Sequence, residues 1–330
     1  MKIPSALIVL IDLAMAASNV NITDHIAITV PSSEPPFAKL VDQAMASFSL
    51  EFQFWPTYAG NATGQPNHYV NQLFSNLAQR TGKTPAVRVG GHENTAYVDT
   101  SFQLWNSSQL KEVHGPFINR ANTTIGQDWY VLAGNLPAGT EFTFGLNLYD
   151  QSEVASQAKM LADAFQGSRA HLTKDVTLKF IQVGNEPNFY FPTAAEYVAH
   201  WKPLAQAALQ NIKMGHEGQP TFWIGSEYIY DEGFLLTGAL EAGILDNHEI
   251  FHANHVLDEH QYSGAMGLGA IPGGPPPGSL MNKLSIRGNL STVCNGMLNT
   301  QSYKKAYYLV IMVSLLESRM CSVANICNGL

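Results

Sequence analysis

The chain has 330 residues, 45% of them hydrophobic and only 13% charged, and its 18 basic and 26 acidic side chains leave a net charge of -8. A charged share about half the usual quarter of a globular domain marks a chain with a large core and excludes an intrinsically disordered one. An acidic balance with no run of Lys or Arg excludes a reader of the phosphate backbone, which needs a basic patch to displace counterions.

In chain order, Lys2, the apolar run Ile3 to Ala16 and the small residues Ala14-Met15-Ala16-Ala17 predict a secretory signal over residues 1–17, interrupted by Asp12. Five Asn-x-Ser/Thr sequons, at Asn21, Asn61, Asn106, Asn122 and Asn289, agree with export. The expectation is a secreted, extracellular glycoprotein. The longest later apolar stretch, Ala306 to Leu316, is too short for a membrane span.

Short runs rich in β-branched and aromatic residues predict strands at Phe48–Phe54, Ala86–Gly90, Phe142–Leu148, Leu178–Gly184, Thr221–Ser226 and Val256–Tyr262. Helical spacing of apolar residues predicts helices at His68–Arg80, Ser152–Phe165, Ala194–Lys213 and Glu232–Ala242. Alternating βα units predict a parallel sheet covered by helices. With no GxGxxG after the first strand, a (β/α) barrel is favoured over an open dinucleotide-binding sheet. No repeat or linker divides residues 18–291, which read as one barrel domain; the Pro-rich stretch Gly264–Gly278 reads as a loop at its mouth or, alternatively, an interdomain linker. Residues 292–330 differ in composition. No cysteine occurs before Cys294, yet Cys294, Cys321 and Cys327 crowd the end, an odd count that leaves a thiol unpaired.

The strongest local signal is Phe180-Ile181-Gln182-Val183-Gly184-Asn185-Glu186-Pro187-Asn188-Phe189-Tyr190. An apolar strand ends at Gly184 and presents Asn185 and Glu186 where a barrel places its reactive groups, at the carboxyl ends of strands. A carboxyl flanked there by aromatics is expected to titrate high through desolvation, as a general acid requires. The alternative is a helix cap or a solvated loop carboxylate. His255, Asp258, Glu259 and His260 invite a metal reading, but strand alternation points Asp258 and His260 one way and Glu259 the other. No metal and no cofactor is expected, and no GxSxG elbow supports a serine nucleophile.

Asn-Glu-Pro after the fourth barrel strand resembles the acid/base motif of the retaining glycosidases. Ser49-Leu50-Glu51-Phe52 and Pro85-Ala86-Val87-Arg88-Val89-Gly90-Gly91, together with Gly184-Asn185-Glu186-Pro187-Asn188, resemble glycoside hydrolase family 79, in particular its fungal β-glucuronidase-like branch; the family also holds heparanase. The resemblance runs from about residue 35 to about residue 290. It implies a (β/α)8 TIM-barrel glycosidase that hydrolyses β-linked glucuronosides by double displacement, with a glucuronic-acid-containing glycan as its partner. Glu186 would be the acid/base, Asn185 would bind the sugar 2-hydroxyl and Tyr262 would face the uronate. Arg88 would support the site from below, or form a plain buried ion pair. Glu93 and Asn94, after the second strand, are further candidates for substrate contact.

The resemblance also implies a second glutamate at the end of the seventh strand. Lys305-Ala306-Tyr307-Tyr308-Leu309-Val310-Ile311-Met312-Val313 matches that strand and puts Ile311 in its place. The eighth strand and the family's C-terminal β-sandwich are not recognisable after about residue 292. The alternatives are a faulty gene model of an active enzyme and a carbohydrate-binding pseudoenzyme. A barrel ending this way is expected to expose two strand edges unless something covers them.

Overall fold

One curled sheet of eight strands dominates the chain. In the computed structural model the described residues are 43–44, 47–91, 93–101, 111–114, 119–228, 234, 236–262, 306–313 and 317–321. The strands are β1 (Phe48–Glu51), β2 (Val87–Gly90), β3 (Ala96–Val98), β4 (Lys111–His114), β5 (Asn119–Ile125), β6 (Glu141–Leu146), β7 (Thr177–Val183), β8 (Thr221–Tyr228), β9 (Asn254–Tyr262), β10 (Ala306–Val313) and β11 (Glu317–Cys321). The main sheet runs β1-β2-β6-β7-β8-β9-β10-β11, parallel from β1 to β10 and antiparallel only between β10 and β11. The helices are α1 (Trp55–Ala59), α2 (His68–Thr81), α3 (Gln151–Gln166), α4 (Ala194–Asn211), α5 (Leu236–Glu241) and α6 (His248–Ala253). This is a (β/α) TIM-barrel type architecture with seven parallel strands among the described residues.

The ladder ends at β1 and β11, and these two strands come alongside each other. The antiparallel β11 thus stands where the eighth parallel strand of a complete barrel would run. It covers an edge that the sequence reading left open.

Parallel strands are buried on both faces, and β6 and β7 are so: from Phe142 to Leu146 and from Phe180 to Val183 every residue is buried, Thr143 and Gln182 included. Outside the sheet, α4 seats Tyr197, Val198, Trp201, Leu204, Ala205 and Ala208 against it. Trp201 donates its indole N–H to the Val183 carbonyl at 3.0 Å, fixing the helix to the strand just before the Asn185-Glu186 pair. Side chains start the helices as capping requires: Asn67 accepts from Tyr69 and Val70, Asp150 from Ser152 and Glu153, and Thr193 from Glu196.

Three differences from the sequence reading have local causes. The first strand stops at Glu51, because Phe52 and Trp55 turn inward to bury against Trp129 and Phe142, and Pro56 sits in the first turn of α1 where its missing N–H costs nothing. The sequence between β2 and β6 adds a small sheet, β3-β5-β4, beside the barrel. The helix expected over Glu232–Ala242 is the shorter α5, followed by a second one, α6. The signal region, the sequons at Asn21, Asn106 and Asn289, the Pro-rich loop, Cys294 and Cys327 lie outside the described residues. Of the other sequons, Asn61 is exposed just after α1 and Asn122 falls within β5. Among the described residues, no helix is long and apolar enough to cross a membrane.

Candidate active site

Parallel pairing brings the carboxyl ends of β1, β2, β6, β7, β8 and β9 to one mouth, and Asn185 and Glu186 stand there. Arg88 forms the floor. It is fully buried, aligned with Ser49 in the β1–β2 register, and reaches across the barrel interior. Its guanidinium donates to Gln182 Oε1 at 2.7 Å, Ser49 Oγ at 2.9 Å and Asn185 Oδ1 at 2.7 Å. Three strands are tied by one planar donor set, a role that a lysine point charge could not fill.

Asn185 is held from every side. Its Oδ1 accepts from Arg88, its Nδ2 donates to the Gly91 carbonyl at 3.2 Å, and its backbone N–H and C=O are bound by Asn94 at 2.7 and 2.8 Å. One Nδ2–H is left to donate elsewhere. Glu186 follows with φ 47° and ψ 57°, the one non-glycine residue with positive φ among the described residues. A left-handed backbone at a glutamate costs about 1–3 kcal/mol and persists only where its surroundings enforce it. Here Gly184 (φ 82°) makes the preceding turn with Leu148 pressed against it, and Pro187 locks the following 3-10 turn.

The carboxyl of Glu186 is buried and its Oε1 lies 3.1 Å from His260 Nδ1. His260 is itself fully buried, and its other nitrogen, 3.8 Å from Asp258 Oδ2, makes no hydrogen bond. The strand alternation expected for β9 holds: Asp258 and His260 share this face, while Glu259 turns away to accept the Leu236 backbone N–H at 3.3 Å. Sequence reasoning weighed His260 only as a metal ligand and missed it as the partner of Glu186. Its place in the same strand, two residues before Tyr262, was the available signal.

Glu93 and Asn94 are buried rather than displayed at the mouth. Glu93 is fully enclosed, accepts the Gly91 backbone N–H through Oε2, and keeps Oε1 3.8 Å from Arg88 with no hydrogen bond. Burial pushes this carboxyl up from its ordinary value, against the pull of Arg88 and the Gly91 N–H. Its place depends on Gly145, where a Cβ would stand 2.4 Å from Glu93 Oε1. Above it Glu51 ends β1 exposed, its carboxylate over Gly91, whose own Cβ would lie 2.5 Å from Glu51 Oε2. At the rim, Tyr149 after β6 and Tyr190 after β7 meet edge to face at 5.7 Å, beside the exposed Phe189. Tyr262 closes β9, with its side chain outside the described atoms. Ile311 lies in β10, aligned with Gln261.

No family model matches the chain. A β-glucuronidase of Aspergillus niger is 30% identical over 235 residues, covering 67% of this chain and 36% of that protein. A β-glucuronidase of Neurospora crassa is 27% identical over 202 residues, 56% of this chain and 34% of the relative. The chain is thus similar in sequence to fungal β-glucuronidases. It matches these curated relatives over about a third of their length. The fold agrees: a Fusarium oxysporum 4-O-α-L-rhamnosyl-β-D-glucuronidase, solved as its Rha-GlcA complex, superposes with a TM-score of 0.61 at 18% identity, over 84% of this chain and 56% of that one.

Proposed function

We propose that this chain carries the acid/base half of a glycosidase site and acts on β-linked glucuronosides, with Glu186 as the group that protonates the glycosidic oxygen. The observation that carries this reading is the buried, strained Glu186 hydrogen-bonded to His260 at the carboxyl end of β7. Strain at one functional carboxylate, enforced by a scaffold of fixed polar contacts, is how catalytic groups are held ready. The fungal β-glucuronidase relatives support the glucuronide as substrate class.

In this scheme His260 fixes the rotamer of Glu186 and supplies a hydrogen bond whichever partner holds the proton. Asn185, immobilised by Arg88 and Asn94, turns its remaining Nδ2–H toward the sugar 2-hydroxyl, an interaction that strengthens as positive charge develops on the ring. Tyr149 and Tyr190, after β6 and β7, would offer the leaving group an aromatic corner. Tyr262 would face the uronate. Secretion and glycosylation belong to the same proposal: the signal-like first 17 residues and the exposed Asn61 support them.

A second reading has its own support in Ile311. Double displacement needs a second carboxylate roughly 5–5.5 Å from the first, and the strand that carries it in family 79 presents isoleucine here. The chain would then bind a glucuronoside without turning it over. Azide separates the two readings, because a small anion can stand in for a missing nucleophile. Without azide, turnover of an aryl β-glucuronide that is lost in Glu186→Gln supports the hydrolase. Turnover only with azide supports a binding protein with a competent acid/base. If glucuronic acid neither binds in calorimetry nor protects the chain from thermal unfolding, both readings fail.

A further inference from the structure

The segment His248-Glu249-Ile250-Phe251-His252 takes no part in the site above, and it has the spacing that places two histidines on one face of a helix. It forms α6, where His248 and His252 are both exposed, with their Nε2 atoms 3.0 Å apart in a hydrogen bond that a bound ion would replace and their ring centroids 4.2 Å apart. From this geometry we infer that His248 and His252 form a surface chelate for a divalent transition-metal ion, Cu²⁺ above all.

The pair is held in place before any ion arrives. Asn247 caps the helix through Glu249 and Ile250, while Ile250 and Ala253 bury the opposite face, so α6 cannot roll. The Phe251 ring stands edge-on to His252 at 5.9 Å and restricts its rotation. Binding therefore loses little side-chain entropy, the usual cost of gathering two exposed histidines.

The spacing is also close to the bite of a tetragonal ion. Two imidazole nitrogens each about 2.0–2.1 Å from a metal and 3.0 Å apart subtend roughly 94° at it. That is the angle between neighbouring positions of a tetragonal centre, which Cu²⁺ and Ni²⁺ prefer. A tetrahedral Zn²⁺ would need the nitrogens roughly 3.3–3.4 Å apart, so the pair would have to open. Intrinsic affinity order points the same way, with Cu²⁺ above both Ni²⁺ and Zn²⁺.

Glu249 gives the segment the pattern of a hydrolytic zinc helix, but such a centre has three protein ligands. Among the described residues no group of three metal-ligating side chains occurs. The site is thus an open chelate, with water or an external donor in its remaining positions. It is also remote from Glu186: α6 leads into the amino end of β9, whereas Glu186 follows the carboxyl end of β7 in the same parallel sheet.

The test titrates untagged, full-length protein with its cysteines alkylated, using Cu²⁺, Ni²⁺ and Zn²⁺ in turn in a non-coordinating buffer, by calorimetry and, for Cu²⁺, by electron paramagnetic resonance. The expected result is one ion per chain, Cu²⁺ bound tightest, with a tetragonal spectrum split by two nitrogens. His248→Ala and His252→Ala should each weaken Cu²⁺ binding by about tenfold or more. His255→Ala, which changes another exposed histidine, should leave it unaltered. Because the substituted side chains are exposed, circular dichroism should show the fold retained in all three. Absence of stoichiometric binding, or a doubly substituted His248→Ala/His252→Ala chain that binds Cu²⁺ like the parent, overturns the inference.

Discussion

Glu93 is a carboxyl whose charge the fold disfavours. Burial pushes its carboxyl above the ordinary 4.5, so the folded chain keeps that proton to higher pH than the unfolded chain does. The sign follows from linkage: Glu93 imposes no penalty below about 4.5, and stability is lost as pH rises from there through the raised folded value. Glu93→Gln should remove this loss. Urea midpoints of parent and variant should converge at low pH and separate above it, with the variant flatter; parallel curves would reject a raised Glu93. Arg88 is the complementary case. Arg88→Ala deletes three hydrogen bonds, to Ser49, Gln182 and Asn185, at a fully buried position, which should cost about 3–5 kcal/mol in chemical denaturation. Gly145→Ala acts on the same cluster without touching a polar group. Its Cβ would meet Glu93 Oε1 at 2.4 Å, so it should lower the thermal midpoint and weaken glucuronic acid binding together.

At the scale of elements, helix starts offer a cleaner test than helix interiors, because capping is local. Asp150 is exposed and accepts from Ser152 and Glu153 at the start of α3; its hydrogen bonds to Ser152 hold its carboxyl below the ordinary 3.8. That stabilisation is present above 3.8 and disappears as pH falls through the lower folded value. Asp150→Ala should cost about 1 kcal/mol at neutral pH and progressively less in acid, checked by thermal melts across the two conditions. Most helices and parallel strands were legible in the sequence for the same reason. A 3.6-residue apolar stripe in α2, α3 and α4 and the short, largely apolar runs of β6 and β7 are consequences of facing one core. The elements that were not legible lack such a signature. The β3-β5-β4 sheet lies beside the barrel, α6 is six residues long, and β11 is defined by the strand it pairs with.

For the whole molecule the decisive feature is how the sheet ends. Six parallel pairings lead from β1 to β10, and the antiparallel β11 then comes alongside β1. Exposed edges of parallel strands invite association with other chains, and β11 is the element that masks them. In the β10–β11 ladder Ile311 aligns with Arg319 and Val310 with Met320. Successive residues of a strand direct their N–H groups to opposite sides, so one of Arg319→Pro and Met320→Pro removes a ladder donor. That variant should associate at concentrations where the parent stays monodisperse in light scattering. If neither does, β11 is not what covers the edge.

The sequence by itself determined the barrel-type succession of strands and helices, the strand end carrying Asn185 and Glu186, and the resemblance to fungal glucuronidases. These depend on local periodicity and on residues adjacent in the chain. Only the tertiary structure decided that His260, 74 positions away, is the partner of Glu186. It likewise decided that Glu93 and Asn94 are enclosed supports, that Glu186 is strained, and that an antiparallel strand occupies the eighth place. Contacts between strands distant in sequence bring His260 to Glu186 and enclose Glu93 and Asn94, and pairing of that kind leaves no periodicity in the chain for a reader to find; the strain at Glu186 and the direction of β11 depend on how their turns are packed.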